Sequence, residues 1–424
     1  MASEVPTSSG RLDARTRRSV VALLVSVFCS SAAIAALTIT LGKQVFDLTG
    51  RELDLGLLGL AEFAPALLLV FVTGPVADRY DRRVVGAVAL VLAAVCCLGL
   101  TAYAGTDPSA AGPIFVLIVA YGVARAFAMP ATRSLPADTV VPARLPWLVA
   151  RQSVTWQAAM IVGPIAAGFL YVVDVQLPYL VTAMLLLLSA ASLAFVRTDA
   201  RDAEVRARAP EDLPASGRVT LHDAFEGLRF VRGHSVLLGV ISLDLFAVLF
   251  GGAVALLPAI AEERLHVGAV GLGWLRAAIG IGAAAVTLVL TVRPITRRVG
   301  TRLLLAVALF GVGTIVLGIT TNYAVAWIAL AVLSGADAVS VFIRATLVPL
   351  VTPADKRGRV LAVEMVFIGA SNELGAFESG VVGQLLGPAA AIVLGGAATV
   401  AVAAIWASRF PALRSTDRFP SSIN

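Results

Sequence analysis

Twelve apolar runs dominate the chain, at approximately 20–42, 53–77, 84–104, 112–134, 147–172, 177–197, 236–261, 268–291, 301–320, 323–349, 358–385 and 388–408. Each is close to or above the roughly 20 residues a helix needs to cross a hydrocarbon core. In lipid the backbone must satisfy its own hydrogen bonds, which only helices and closed barrels achieve. Barrel strands need only about 9–11 residues, so these runs are too long for them. Composition excludes water as the main solvent: 14% of residues are charged, against roughly 25% in soluble domains. The expected fold class is an all-α membrane protein with twelve transmembrane helices. The polar start of the chain ends in Arg17 and Arg18. A twin-arginine export signal is one reading of that pair. The run that follows has span length and no clear cleavage site, which favours a retained first helix.

Charge then orients the chain. Of 33 Lys and Arg residues, 27 lie in the tails and in the loops on the side of the termini. The opposite loops hold only Lys43, Arg51 and Arg264, while Arg125, Arg276 and Arg344 fall inside spans. By the positive-inside rule both termini are expected in the cytoplasm, with the protein in the plasma membrane. The net charge of +6 thus reflects orientation, and no nucleic-acid partner is expected. Cys29, Cys96 and Cys97 lie in apolar runs and read as small core residues. His222, His234 and His266 are scattered, so neither a metal nor another cofactor is expected.

A polar stretch from Arg197 to Ser235, with Pro210 and Pro214, divides the chain. It separates an N-terminal six-helix half (1–196) from a C-terminal one (236–424), with 197–235 as a cytoplasmic linker. Near its end, Leu221, Phe225, Leu228 and Phe230 have near-helical spacing, with Arg229 and Arg232 beside them. That pattern fits a helix on the inner membrane surface or a solvated linker helix. A faint repeat supports two halves. "GPVADRYDRRVVGAVAL" follows the second run, and "RPITRRVGTRLLLAVAL" follows the eighth. The second copy keeps paired arginines, Arg297 and Arg298, but has no aspartate.

The first copy concentrates charge between two apolar runs, from Asp78 to Arg83. Gly74 permits close backbone approach. Asp78 can accept hydrogen bonds from a helix N-terminus, where free N–H groups favour an anion. Arg79, Arg82 and Arg83 can bond helix C-terminal carbonyls or carboxylates. Such a cluster is suited to be a breakable latch, whereas orientation alone needs only Arg and Lys. The pattern Gly74, Asp78, Arg79, Arg82, Arg83 resembles motif A of the major facilitator superfamily. "GPIAAG", with Gly163, Pro164 and Gly168, resembles motif C of its antiporter branches. The phrases "PATRSLPADTVVP", "TPADKRGRV" and "GASNELGAFESG" resemble the drug-and-siderophore exporter branch, of the enterobactin-exporter type.

The resemblance implies a fold of two six-helix halves around a cavity lined by the first, fourth, seventh and tenth helices. It implies that Asp78 caps the start of the eleventh helix when the inner gate is shut. It also sets the fifth helix against the eighth, where Gly271, Gly273, Gly280 and Gly282 offer a tight hinge or seal. Generic packing of small residues is the alternative.

Ionisable residues inside spans are costly and are functional candidates. They are Glu62, Arg125, Asp244, Arg276, Asp337, Arg344, Glu364, Glu373 and Glu378. The cavity-lining order implies Ser30, Ser31, Tyr121, Arg125, Asp244, Asp337 and Arg344 around cargo. On the eleventh helix, Asn372 and Glu373 lie near the midplane, with Glu364 and Glu378 about 10 Å to either side. Glu373 is the preferred proton carrier and Asp337 the alternative. Charge pairs that simply hold helices together are the competing reading, preferred for Arg344 and Glu364.

No P-loop, catalytic triad or metal motif appears, so neither an enzyme nor an ATP-driven pump is expected. The sequence reads as a secondary exporter of small amphiphilic organic molecules, coupled to protons by antiport and working as a monomer. Its partners would be the substrate, protons and the lipid bilayer. Uptake symport, lipid or metal-ion transport, and a non-transporting receptor are the alternatives.

Overall fold

A computed structural model of the chain describes residues 13–196, 221–353 and 356–420. Side chains at 70, 71, 74, 75, 77, 78, 142 and 221–225 also lie outside the described residues. Among the described residues there are helices and no strands. The long helices are α1 (Ala14–Thr49), α2 (Glu52–Arg79), α3 (Arg82–Ala104), α4 (Gly112–Thr139), α5 (Leu145–Val173) and α6 (Gln176–Leu193). They are followed by α7 (Ser235–Arg264), α8 (Gly268–Val292), α9 (Val299–Ile319), α10 (Tyr323–Val351), α11 (Arg357–Leu386) and α12 (Pro388–Arg409). Eleven of these are long and apolar enough to cross a membrane, and α2 adds a further 28 residues of helix. Every apolar run seen in the sequence thus became a helix. The helices outlast the runs at most ends, because hydrogen bonding continues past the lipid boundary. At 36 residues, α1 is the extreme case: at 1.5 Å per residue it is about 54 Å long, well beyond a core of roughly 30 Å.

Local chemistry sets the boundaries. Gly50 stops α1 in the left-handed conformation, φ 57°, its N–H bonded to the Phe46 carbonyl. Asp81 caps α3 by accepting from the Arg83 N–H, and Asn322 caps α10 by accepting from Ala324 and Val325. Past Gly251, α7 loses regular α geometry. It continues as a 3-10 turn over Gly252–Leu256, then Leu257–Ala259, then a π-helical turn over Ile260–Arg264.

The packing repeats itself. In the first half α1 packs on α5 and α6, α2 on α4, and α3 on α4 and α6. Six helices later α7 packs on α11 and α12, α8 on α10, and α9 on α10 and α12. The halves meet through two crossings, α5 with α8 and α2 with α11. With twelve spans, both ends of the chain lie on one side, here the terminal face, and the other side is the far face.

The two halves join at the far face. One buried apolar core crosses between them there, with Val45 and Phe46 of α1, Leu55 of α2, Leu256 and Ile260 of α7, and Leu272 of α8. A second core belongs to the C-terminal half on the terminal side, with Leu237, Val240, Ile343, Leu347, Val360 and Leu413. At the terminal face Tyr80 ends α2 with 61% exposure. A Cβ built on Gly358, at the start of α11, meets nothing within 4 Å.

The amphipathic segment at the end of the linker is a helix, Leu221–Gly233. Leu221 and Phe225 have side chains outside the described residues. The rest of the helix docks on protein: Val231 is buried, and Arg359 of α11 lies 2.7 Å from Glu226. Lys356 also sits 4.9 Å from the Phe230 ring centroid. The second charged loop lacks an aspartate of its own, but the C-terminal tail supplies one. Asp417 accepts from the backbone N–H of Arg298 at 3.1 Å, just before α9.

Candidate functional site: a charged cavity between the halves

A cavity of about 480 Å³ lies between the halves, from mid-span toward the far face. Its walls are mostly apolar, including Ile34, Leu58, Val248, Leu272 and Phe310. The charged side chains in it are Glu62, Arg125, Arg276, Asp337 and Glu373. Arg125 of α4 forms an ion pair with Glu62 of α2, inside the first half. Glu373 of α11 reaches in from the second half, close enough that a Cβ on Gly59 would sit 2.6 Å from its Oε2. Gly59 precedes Glu62 by one turn of α2, so a carboxylate from each half converges on the region of Arg125. Asn372 also lines the cavity, its side-chain amide donating to the Ile368 carbonyl at 2.8 Å.

A second cavity of about 490 Å³ continues toward the terminal face within the first half. The two share Ile34 and Arg125. Ser26, Ser30, Ser31, Gln152 and Trp156 contribute to its wall, and Tyr121 joins them as a fully buried ring. Arg133 lies two turns beyond Arg125 on α4, toward the terminal face.

Other candidates sit elsewhere. Asp244 and Arg344, expected around the cargo, line neither cavity. They pair with each other at 2.5 Å, both side chains 7% exposed, joining α7 to α10. The reason is helix neighbourhood: α10 offers Arg344 to α7, while Asp337 on the same helix faces the cavity. Glu378 is half-buried and lines neither cavity, being more than a turn of α11 beyond Glu373. Glu62 and Arg276 belong to the cavity although the sequence assigned them no specific role. Their intramembrane charge was the available signal.

The motif A region is ordered around α3. Arg83 bonds both Asp81 oxygens, at 3.1 and 2.6 Å, and donates to the Val196 carbonyl at the end of α6 at 2.9 Å. The Arg83 guanidinium holds the Asp81 carboxyl below its ordinary range. Arg82 lies 3.3 Å from Asp138 at the end of α4. These arginines therefore tie α3 to its neighbours within one half. Arg79 is exposed, and the side chains at Gly74 and Asp78 lie outside the described residues.

Motif C forms the α5–α8 crossing. A Cβ on Gly168 would come within 2.5 Å of the Ala269 carbonyl oxygen, and one on Gly273 within 2.5 Å of the Pro164 carbonyl oxygen. Gly163 is equally tight against Ala32 of α1, at 2.6 Å. Only glycine lets these backbones touch.

The far face carries a polar bridge between the halves. Lys43 of α1, a nearly buried cation, lies 3.1 Å from Glu262 of α7 and also pairs with Asp47. The Tyr171 hydroxyl donates to Asp47 at 2.8 Å. In the sequence, Lys43 was only one of three basic residues on that side.

Twelve spans in two repeating halves around a charged cavity define a multi-pass membrane transporter architecture. The family model of the Major Facilitator Superfamily matches residues 21–363, and the chain belongs to that superfamily. No curated protein matches it by sequence. Among solved structures it is similar to a bacterial homologue of the human lysosomal transporter Spinster, in an inward-facing and unoccupied conformation. That match has TM-score 0.65 and 13% identity, over 96% of this chain and 97% of the other. It is also similar to the nucleoside transporter NupG (TM-score 0.64, 16% identity, 92% and 99% covered). A POT family transporter in complex with 5-aminolevulinic acid gives TM-score 0.66 at 10% identity, with 93% and 96% covered. At these identities the likeness is one of fold.

Proposed function

We propose that the chain is a secondary exporter of small amphiphilic organic molecules, driven by proton antiport through alternating access. The observation that carries this reading is Glu373: a carboxylate of the second half set in the central cavity beside the Glu62–Arg125 pair of the first. Arg125 carries one positive charge and cannot neutralise two carboxylates at once. When Glu373 is protonated, Arg125 belongs to Glu62 and the halves are free of that tie. When Glu373 is ionised, it competes for Arg125 and draws α11 toward α4. A proton taken up on one side and lost on the other thereby biases which face is open. The apolar walls suit an organic body, and the charges suit a polar head.

With the termini in the cytoplasm, as the 27-of-33 charge split supports, this conformation faces inward. Motif A then works in the opposite state. Asp78 docks on the start of α11 when the terminal face closes, at a helix end where Gly358 is exposed.

The test is flux in vesicles containing purified protein, screened with a panel of organic amphiphiles under an imposed pH gradient. Glu373→Gln is expected to abolish gradient-driven accumulation, by about a hundredfold or more, while cargo exchange without a gradient persists. Retained accumulation in that variant removes Glu373 as the carrier. Loss of coupling only in Asp337→Asn moves the role to α10.

A further inference from the structure

The central cavity holds two arginines with different circumstances. Arg125 is neutralised by Glu62. Arg276 of α8 lines the same cavity, yet among the described residues it makes no hydrogen bond and no ion pair. An ionisable side chain inside a span is costly, so an unpaired arginine there needs a reason.

Asp337 looks like a natural partner, but the packing keeps it away. Ser334 of α10 donates to the Ile279 carbonyl of α8 at 2.7 Å, which fixes the register of these two parallel helices. Arg276 stands three residues before Ile279, and Asp337 three residues after Ser334. At 1.5 Å per residue the two charges are offset by about 9 Å along the axis. Arg276 lies toward the sealed far face, and Asp337 toward the terminal face. Glu373, the other cavity carboxylate outside the Glu62–Arg125 pair, forms no ion pair with Arg276 either.

The approach to the cavity carries an independent signal. The second cavity is lined by Arg125 and Arg133, and no Asp or Glu is among its lining residues. A cavity of one charge sign concentrates ions of the other. An anion arriving from the terminal face therefore meets Arg133 first, passes Arg125 in its pair with Glu62, and reaches Arg276 toward the far face.

We propose that Arg276 is the anion-recognition residue of the central cavity, so that the cargo is an organic anion, a carboxylate or sulfonate on an apolar body. This rests on reading the cavity as the cargo site. The apolar body lies against Leu58, Val248, Leu272 and Phe310. The anionic head pairs with Arg276, whose planar guanidinium can grip a carboxylate through two parallel hydrogen bonds.

The experiment compares three ligands that share one apolar body: 2-naphthoate, 2-naphthylmethanol and 2-naphthylmethylammonium. Binding to purified protein in neutral-lipid nanodiscs is measured by calorimetry at pH 7 without a gradient, with empty discs subtracted. Naphthoate is expected to bind about tenfold or more tighter than the alcohol, with the ammonium weakest. Arg276→Gln is expected to erase the preference, and Arg276→Lys to keep most of it. Thermal unfolding of each variant confirms that it is folded. No naphthoate binding, equal binding of naphthoate and alcohol, tightest binding of the ammonium, or an unchanged preference in Arg276→Gln each overturns the proposal. Because no gradient is applied, the result is separate from proton coupling. Anion preference that depends on Arg276, with no gradient-driven flux, sinks the exporter reading and leaves this one standing.

Discussion

At the scale of single residues, the intramembrane charges divide by what they touch. Asp244 and Arg344 are enclosed, face each other and line no cavity. Their role is to hold α7 against α10. Removing one member of a buried pair leaves an uncompensated charge and costs about 3–5 kcal/mol. Asp244→Asn is therefore expected to lower the unfolding temperature sharply in nanodiscs. Asp244→Leu with Arg344→Met should recover much of the loss, since replacing a buried pair by apolar groups is often neutral. A full loss of cargo binding by folded Asp244→Asn would falsify the structural assignment. The cavity charges Glu62, Arg125, Arg276 and Glu373 lie apart from this pair, while Asp337 lines the cavity on the same helix as Arg344. Hydropathy marked all of these residues as expensive, but burial and partners divided them into supports and site.

At the scale of elements, the crossing of α5 and α8 is the seam that closes the far face. Gly168 and Gly273 bring carbonyl oxygens to within 2.5 Å of where a side chain would begin, so any side chain forces the helices apart. Gly273→Leu is expected to insert into the membrane normally and to lose transport. It should also raise far-side accessibility at Thr38, a cavity-lining residue of α1. Labelling of Thr38→Cys by an impermeant thiol reagent, applied from the far side, should accelerate at least tenfold over the same cysteine in the parent. Unchanged labelling would mean that the seam tolerates bulk and is not the seal. The glycine spacing was legible in the sequence. Its partner helix was expected from the resemblance, and the carbonyls it meets required the packed structure.

For the whole molecule, the balance between two arrangements of the halves matters more than the stability of either. Lys43 is nearly buried and joins the halves through Glu262, with Asp47 and Tyr171 beside it. Lys43→Met removes the cation and keeps the length. A change of about 1.4 kcal/mol in the balance alters the populations tenfold. Spin labels at Thr106→Cys and Thr321→Cys, exposed on the far-face loops of opposite halves, report the opening. In a background without Cys29, Cys96 and Cys97, Lys43→Met is expected to add a longer-distance population. An unchanged distance distribution would show that the bridge does not hold the face closed.

What the sequence determined by itself follows from one-dimensional physics. Spans are legible because a helix in lipid needs a contiguous apolar run, and contiguity is a property of order along the chain. The polar break after the sixth run and the repeated arginine turn pointed to two halves. Pairing is different, because it depends on which helices become neighbours. Arg344 shares a helix with Asp337 yet pairs with Asp244 of α7. The anion missing from the second charged loop arrives from the tail as Asp417. Lys43 of α1 pairs along its own helix with Asp47 and finds a second carboxylate, Glu262, across the interface between the halves. Only tertiary structure decides these, since Coulomb attraction at a few ångströms acts between side chains the packing has brought together, whatever their distance along the chain.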